Sequence, residues 1–165
     1  MNIGKEIALE AKKFGLCAEW YKRMLAVTNY QQLAEMYFDG DDWSMEKDFP
    51  SLKLLKKHSG AIFPYGMIVD SKEKFENNFR IAFFGNCDSE ITYSDYSVGN
   101  VIVRHQSKVK IIAKENSKVF VNVMDNAEIC VIATQNAEVI IYNYGQNVKY
   151  KNEGNVTIKR KSWER

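Results

Sequence analysis

The sequence predicts an α+β protein in which a region of short N-terminal helices packs on a C-terminal parallel β-solenoid, a β-helix of strand-and-turn units about ten residues long. Three observations carry that expectation. First, a motif returns every ten residues, as Ser107-Lys108-Val109, Ser117-Lys118-Val119, Ala127-Glu128-Ile129 and Ala137-Glu138-Val139, with Asn147-Val148 one residue early. Second, apolar residues alternate within each unit, as in Val119, Val121 and Val123 or Ile129, Val131 and Ala133. This is the period of a strand with one buried face, and the β-branched side chains suit a pleated surface. Third, an amide precedes every unit at the same phase, at Gln106, Asn116, Asn126, Asn136 and Gln146.

An antiparallel β-meander shares the alternation and is the competing architecture. In a meander the recurring amides gain nothing from one another, whereas stacked coils place like residues in register, where amides bond along a ladder. Two units then make one coil of about twenty residues, with coils about 4.8 Å apart. The pairs Asp125-Asn126, Gln135-Asn136 and Gly145-Gln146 fall at the turns, where left-handed backbone is tolerated. Stacking assigns outward columns: Phe120 under Ile140, Asn122 under Tyr142 and Met124 under Tyr144, with Ile102 and Arg104 extending the last two. The other sheet presents Lys110, Cys130 and Tyr150, then Ile112 and Ile132, then Lys114 and Thr134. Arg104, Lys110, Lys114, Tyr142, Tyr144 and Tyr150 form the candidate partner surface. An outward face this aromatic calls for a cover.

Residues 1–60 read as helical. Ile3, Ile7, Ala8, Ala11 and Phe14 share a helix face that Gly15 ends; Trp20, Tyr21, Met24 and Leu25 mark a second helix from about Cys17 to Ala26. A third, Tyr30 to Phe38, is capped by Thr28 or Asn29. Asp39 to Asp48 is the most acidic stretch, but Ser44 stands where a calcium loop needs glycine and no glutamate closes it. Aspartates capping a short helix, with Trp43 and Met45 packed inward, explain it better. A further helix carries Leu52, Leu54 and Leu55 and closes at Gly60. Residues 61–78 read as an irregular connection, and residues 79–165 as the solenoid, with Arg80-Ile81-Ala82-Phe83-Phe84 as an early strand.

The stretches Asp41-Asp42-Trp43-Ser44-Met45-Glu46 with Asp48-Phe49-Pro50-Ser51, then Ala82-Phe83-Phe84-Gly85, Tyr96-Ser97-Val98 and the amide repeats resemble a group of small uncharacterised proteins of gut anaerobes and their phages and mobile elements. The resemblance covers nearly the whole chain. It implies the same helical region joined to a short β-solenoid and carries no activity or site residue with it.

No catalytic residue, cofactor or metal site is expected. His105 is read as a structural histidine near Glu115, and His58 as a cation at a helix end. Cys130 lacks an activating base. The ten-residue period departs from the six-residue units of left-handed β-helix acyltransferases, and the chain lacks the size and clustered acids of polysaccharide lyases. Residues 1–100 hold 12 basic and 15 acidic side chains and the remainder 11 and 6, so the positive excess sits at the C-terminus. That charge suits a nucleic-acid or acidic-partner contact. Without an aromatic, glycine-rich RNA-binding motif it is better read as a charged end that keeps the last coil from pairing with another molecule, and nucleic acid is not the expected partner. No signal peptide or membrane span is read at the N-terminus or elsewhere, and three scattered cysteines fit a reducing, cytoplasmic setting. The expected role is a non-enzymatic protein-protein interaction platform, with oligomers open. The alternative is a carbohydrate-binding module or small solenoid enzyme using the exposed aromatic and basic columns.

Overall fold

A computed structural model describes residues 2–163. The chain forms two compact units, divided between Tyr65 and Gly66. The first holds six helices: α1 (Ile3–Lys13), α2 (Ala18–Leu25), α3 (Tyr30–Asp39), α4 (Asp41–Lys47), α5 (Leu52–Lys57) and α6 (Ser59–Ile62), ending in a 3-10 turn, Phe63–Tyr65. Side chains cap the starts of α1, α3 and α5, but not of α2, α4 or α6; in α4 the N-cap is Gly40, and Asp41 and Asp42 lie in the first turn rather than capping it. Asn2 accepts from the Gly4 N–H, Asn29 from Gln32 and Ser51 from Leu54. Asn29, rather than Thr28, is the cap of α3.

In α4 the acidic run forms a helix with Met45 buried and Trp43 half-buried, Trp43 meeting Phe49 edge-on at 5.2 Å. Gly60 does not close α5. It lies inside α6, and the break falls at His58, whose backbone leaves helical geometry. Side chains then tie distant parts of this unit together. Ser51 donates its hydroxyl and its N–H to the Glu10 carboxylate at 2.5 and 2.8 Å. Glu6 pairs with Lys57 and, at 3.1 Å, with His58 Nε2, while Tyr30 Oη lies 3.0 Å from His58 Nδ1. The Lys57 ammonium, followed by His58, holds the Glu6 carboxyl below the ordinary carboxylate range.

From Gly66 onward every strand pairing is parallel, which excludes the meander. One sheet runs β1 (Met67–Val69), β3 (Arg80–Phe84), β5 (Val98–Val103), β7 (Lys118–Val123), β9 (Glu138–Asn143), β11 (Val156–Arg160). The other runs β2 (Lys74–Glu76), β4 (Asp88–Tyr93), β6 (Lys108–Ala113), β8 (Glu128–Ala133), β10 (Lys149–Glu153). Arg80 pairs with Asn100, Asp88 with Lys108, Val98 with Lys118 and Lys118 with Glu138, a constant step of twenty residues. The winding begins inside the stretch that the sequence leaves irregular, with Met67 beside Ala82 and Lys74 beside Glu90. These first strands lie on a shorter coil, as terminal repeats commonly do.

The corners explain the ten-residue period. Asp95, His105, Glu115, Asp125 and Gln135 all adopt left-handed backbone, with φ between 54 and 61°. Each opens a tight turn closed by a backbone bond two residues on, as from Ser107 N to Arg104 O at 3.3 Å and Ala137 N to Thr134 O at 3.1 Å. The residue closing the turn points inward and must be small: Ser107, Ser117, Ala127 and Ala137 are all fully buried. Side chains at the left-handed positions then reach the neighbouring coil. His105 Nδ1 accepts from the Gly85 N–H at 3.0 Å, Asp125 from His105 at 2.9 Å and Gln135 from Glu115 at 2.6 Å, while Glu115 accepts from Asp95. One rung of the expected amide ladder appears alongside, with Asn136 Nδ2 donating to Asn116 Oδ1 at 3.1 Å.

Inside, Val101, Val103, Ile111, Val119, Val121, Val131, Val139 and Ile141 form a dry stack. Tyr93 also points in, donating its hydroxyl to the Asn78 carbonyl at 2.8 Å, and burial pushes its phenol far above the ordinary value. Room for that ring comes from Gly99, where a Cβ would lie 2.3 Å from the Tyr93 ring.

The last coil departs from the rule. Lys149 pairs with Glu128, a step of twenty-one, and a one-residue slip turns each side chain to the opposite face. Tyr150 therefore falls in the inward column over Ile129, not in the outward column expected for it, and Lys151 takes the place over Cys130. The slip follows the corner where Asn147 stands at the phase held by Ser107, Ser117, Ala127 and Ala137. A tight return at Gly154 (φ 85°), where a Cβ would fall 1.8 Å from the Ala133 carbonyl oxygen, then brings β11 beside β9.

Two outcomes follow. Gly99→Ala overpacks against Tyr93 and should lower unfolding free energy by about 1–3 kcal/mol in urea titration. Glu6, its carboxyl depressed in the folded state, contributes stability that is fully present above the ordinary carboxylate range and lost as pH falls through its folded-state value. Glu6→Gln should thus flatten the acid limb of the stability-pH curve, read by thermal unfolding between pH 7 and pH about 3.

Candidate functional site

The fold distributes the expected surface residues over separate places. Tyr142, on the outer side of β9, and Tyr144, just past its end, stay together two residues apart. Lys159 lies across from Tyr142 in the parallel register, and the ammonium groups of Lys159 and Lys161 stand 5.9 and 5.5 Å from its ring centroid. Tyr144 stacks on Trp163, with centroids 4.2 Å apart and planes 11° from parallel. Arg160 Nη1 donates to the Gly145 carbonyl at 2.7 Å. Tyr144, Gly145, Gln146, Arg160, Lys161 and Trp163 line an open cleft of about 660 Å³. No ion pair joins Lys159, Arg160 or Lys161 to a carboxylate among the described residues.

Arg104 does not belong to that surface. Its side chain is 4% exposed, and its Nε lies 3.1 Å from the Asp125 carboxylate. The column continuing to Met124 and Tyr144 is outward in phase, yet its first two members are buried. Burial of a guanidinium requires a paired anion, and the corner aspartate supplies it. His105 faces Gly85 and Asp125, not Glu115, because Glu115 stands at the other corner with Asp95 and Gln135. Accepting at Nδ1 leaves the neutral ring with its proton on Nε2.

Lys110 lies on the second sheet, 3.7 Å from Glu90. Lys114 is exposed at a corner of the same sheet. Tyr150, inward in phase, is 46% exposed, since among the described residues no strand lies beyond β10 in its sheet. Lys108, Lys110, Glu128, Cys130, Lys149 and Lys151 border a shallow groove of about 360 Å³ there. Its charges form vertical series: Asp88, Lys108, Glu128 and Lys149 in one column, Lys74, Glu90 and Lys110 in the next. Lys108 to Glu128 spans 3.9 Å, Lys149 to Glu128 3.6 Å, Lys74 to Glu90 3.5 Å, and Lys118 to Glu138 on the first sheet 3.6 Å.

Sequence reasoning names Tyr142 and Tyr144 but leaves Lys159, Lys161, Arg160 and Trp163 as a charged tail. Their assembly depends on β11 pairing with β9 across seventeen residues, a step that breaks the repeat. As for chemistry, no group of three His, Cys, Asp or Glu side chains is placed to hold a metal ion among the described residues. No helix there is long and apolar enough to cross a membrane. Burial pushes the Cys87 thiol up, and its sulfur sits 3.2 Å from the Phe84 carbonyl oxygen, whereas Cys17 is exposed.

No protein-family model matches this chain, and neither does any curated protein or solved structure in the comparisons made.

Asp125→Ala should destabilise the solenoid by about 1–3 kcal/mol in denaturant titration, the cost of leaving a buried charged group short of a hydrogen-bond partner. In the native protein a thiol reagent should modify Cys17 first and reach Cys87 only on unfolding, read by mass spectrometry of labelled peptides.

Proposed function

We propose that this protein is a non-enzymatic, cytoplasmic platform whose solenoid binds a protein partner through the corner built by Tyr142, Tyr144, Trp163, Lys159, Arg160 and Lys161. The observation that carries the reading is the gathering of three aromatic rings and three cations at one corner, beside an open cleft lined by Tyr144, Trp163, Arg160 and Lys161, with no described carboxylate paired to those cations. Tyr, Trp and Arg dominate the energetics of protein interfaces because they combine large apolar area with few rotatable bonds and strong donors. The cations select a partner surface that is acidic. Both histidines are engaged in contacts that hold the chain together, and the cysteines are free thiols, which supports a reducing compartment.

A sugar-binding role receives less support. Sugar stacking needs an open aromatic face, and here Lys159 and Lys161 stand over Tyr142 while Trp163 takes one face of Tyr144.

The test is affinity purification from the native host with wild type and a Lys159→Glu, Lys161→Glu, Trp163→Ala variant, each shown to unfold at the same temperature. One stoichiometric protein recovered by wild type and lost by the variant is expected. Retention of glycans in place of a protein, or equal recovery by both, would overturn the assignment.

A further inference from the structure

The terminal strand β10 (Lys149–Glu153) ends its sheet, and all five of its residues are exposed. One side of its backbone is paired to β8, and no strand lies on the other side among the described residues. Such an edge ordinarily invites another chain. We propose that it receives an extended parallel segment of a partner polypeptide, with acidic residues over Lys149 and Lys151, an apolar residue over Tyr150 and a basic residue over Glu153.

The sequence of that segment is read from the columns beneath it. Charge alternates going up the stack, from Asp88 to Lys108 to Glu128 to Lys149, and from Lys74 to Glu90 to Lys110. A carboxylate over Lys149 continues the first series. Lys151 has Cys130 beneath it and no ion pair with a described carboxylate, so an acidic residue above supplies the missing counter-charge. Between them the inward column Val109, Ile129, Tyr150 ends with an open ring, which an apolar side chain would cover. Glu153 stands over Ile132 and forms no ion pair with a described cation, so a basic residue above supplies its counter-charge. Backbone bonds supply affinity in such strand addition, and alternate side chains supply selectivity.

A second copy stacked in parallel through its β2 edge fails the same rule, since continuing the columns would set Lys74 over Lys151 and Glu76 over Glu153, two like-charge contacts. The proposal concerns this edge rather than the Tyr142 corner, and the two stand or fall separately.

The probe is a fluorescein-labelled peptide carrying Glu-Val-Glu-Thr-Lys between short glycine-serine flanks, read by fluorescence anisotropy against the full chain. It should bind about tenfold or more tightly than the inverted Lys-Val-Lys-Thr-Glu peptide, because a wrong-sign contact disfavours the complex. Lys151→Glu alone, with no acid beneath it, should keep the wild-type melting temperature and abolish the preference; Lys149→Glu with Lys151→Glu should reverse it. Lys159→Glu with Lys161→Glu should leave binding unchanged. Absence of binding, equal binding of a version with proline at the alternate positions, or loss of binding only in the Lys159 and Lys161 variant overturns the proposal. So does an oligothymidylate probe with the same dependence on Lys149 and Lys151, or concentration-dependent self-association suppressed by the peptide.

Discussion

The solenoid from β3 to β9 rests on one geometric requirement: each strand must find its partner twenty residues away, in parallel. Backbone donors reach back to the coil beneath, as from Lys118 to Ser97, Met124 to Val103 and Glu138 to Ser117, all near 3.0 Å. That pairing is possible only if both corners of a coil consume the same length of chain. A left-handed residue followed two positions later by a small inward one is the device that fixes the length. The outward charged columns inherit their positions from this count.

Parallel strands stacked in register carry a hazard, since identical side chains meet at about 4.8 Å and like charges repel. The chain avoids it by changing sign between coils. Lys108 and Lys118 are followed, one coil on, by Glu128 and Glu138, and Glu128 by Lys149. Each exposed pair contributes little energy. Their common effect is to penalise a coil paired out of step, where lysine would face lysine. At the corners, the buried Arg104 and its aspartate act in the same sense, because Asp125 meets that guanidinium only when the coils are twenty residues apart.

Where the count breaks, the two proposed partner surfaces gather. The extra residue before β10 exposes Tyr150 at the open end, and the short return through Gly154 brings Lys159 and Lys161 over Tyr142. A perfectly repeating last coil would place other groups there. The irregular end thus differs in kind from the interior: the interior is specified by repetition, and the end by departure from it. The N-terminal unit follows other rules again, with capped helices and a knot of Glu6, Lys57, His58 and Tyr30 joining residues far apart in sequence.

By itself the sequence determined the parallel solenoid, its inward columns and its turn positions. These are local and periodic, and alternation of β-branched residues with amides at fixed phase leaves few other ways to bury the chain. It also carried the alternating charge, legible once Lys108, Lys118, Glu128 and Glu138 are read in steps of twenty rather than ten. Only the tertiary structure decided that Arg104 is buried on Asp125, that Tyr150 turns inward, that Trp163 lies on Tyr144 and that winding begins at Met67. Those outcomes depend on which strand lies beside which at the two ends. There the repeat lapses, and long-range pairing rather than local preference sets the register.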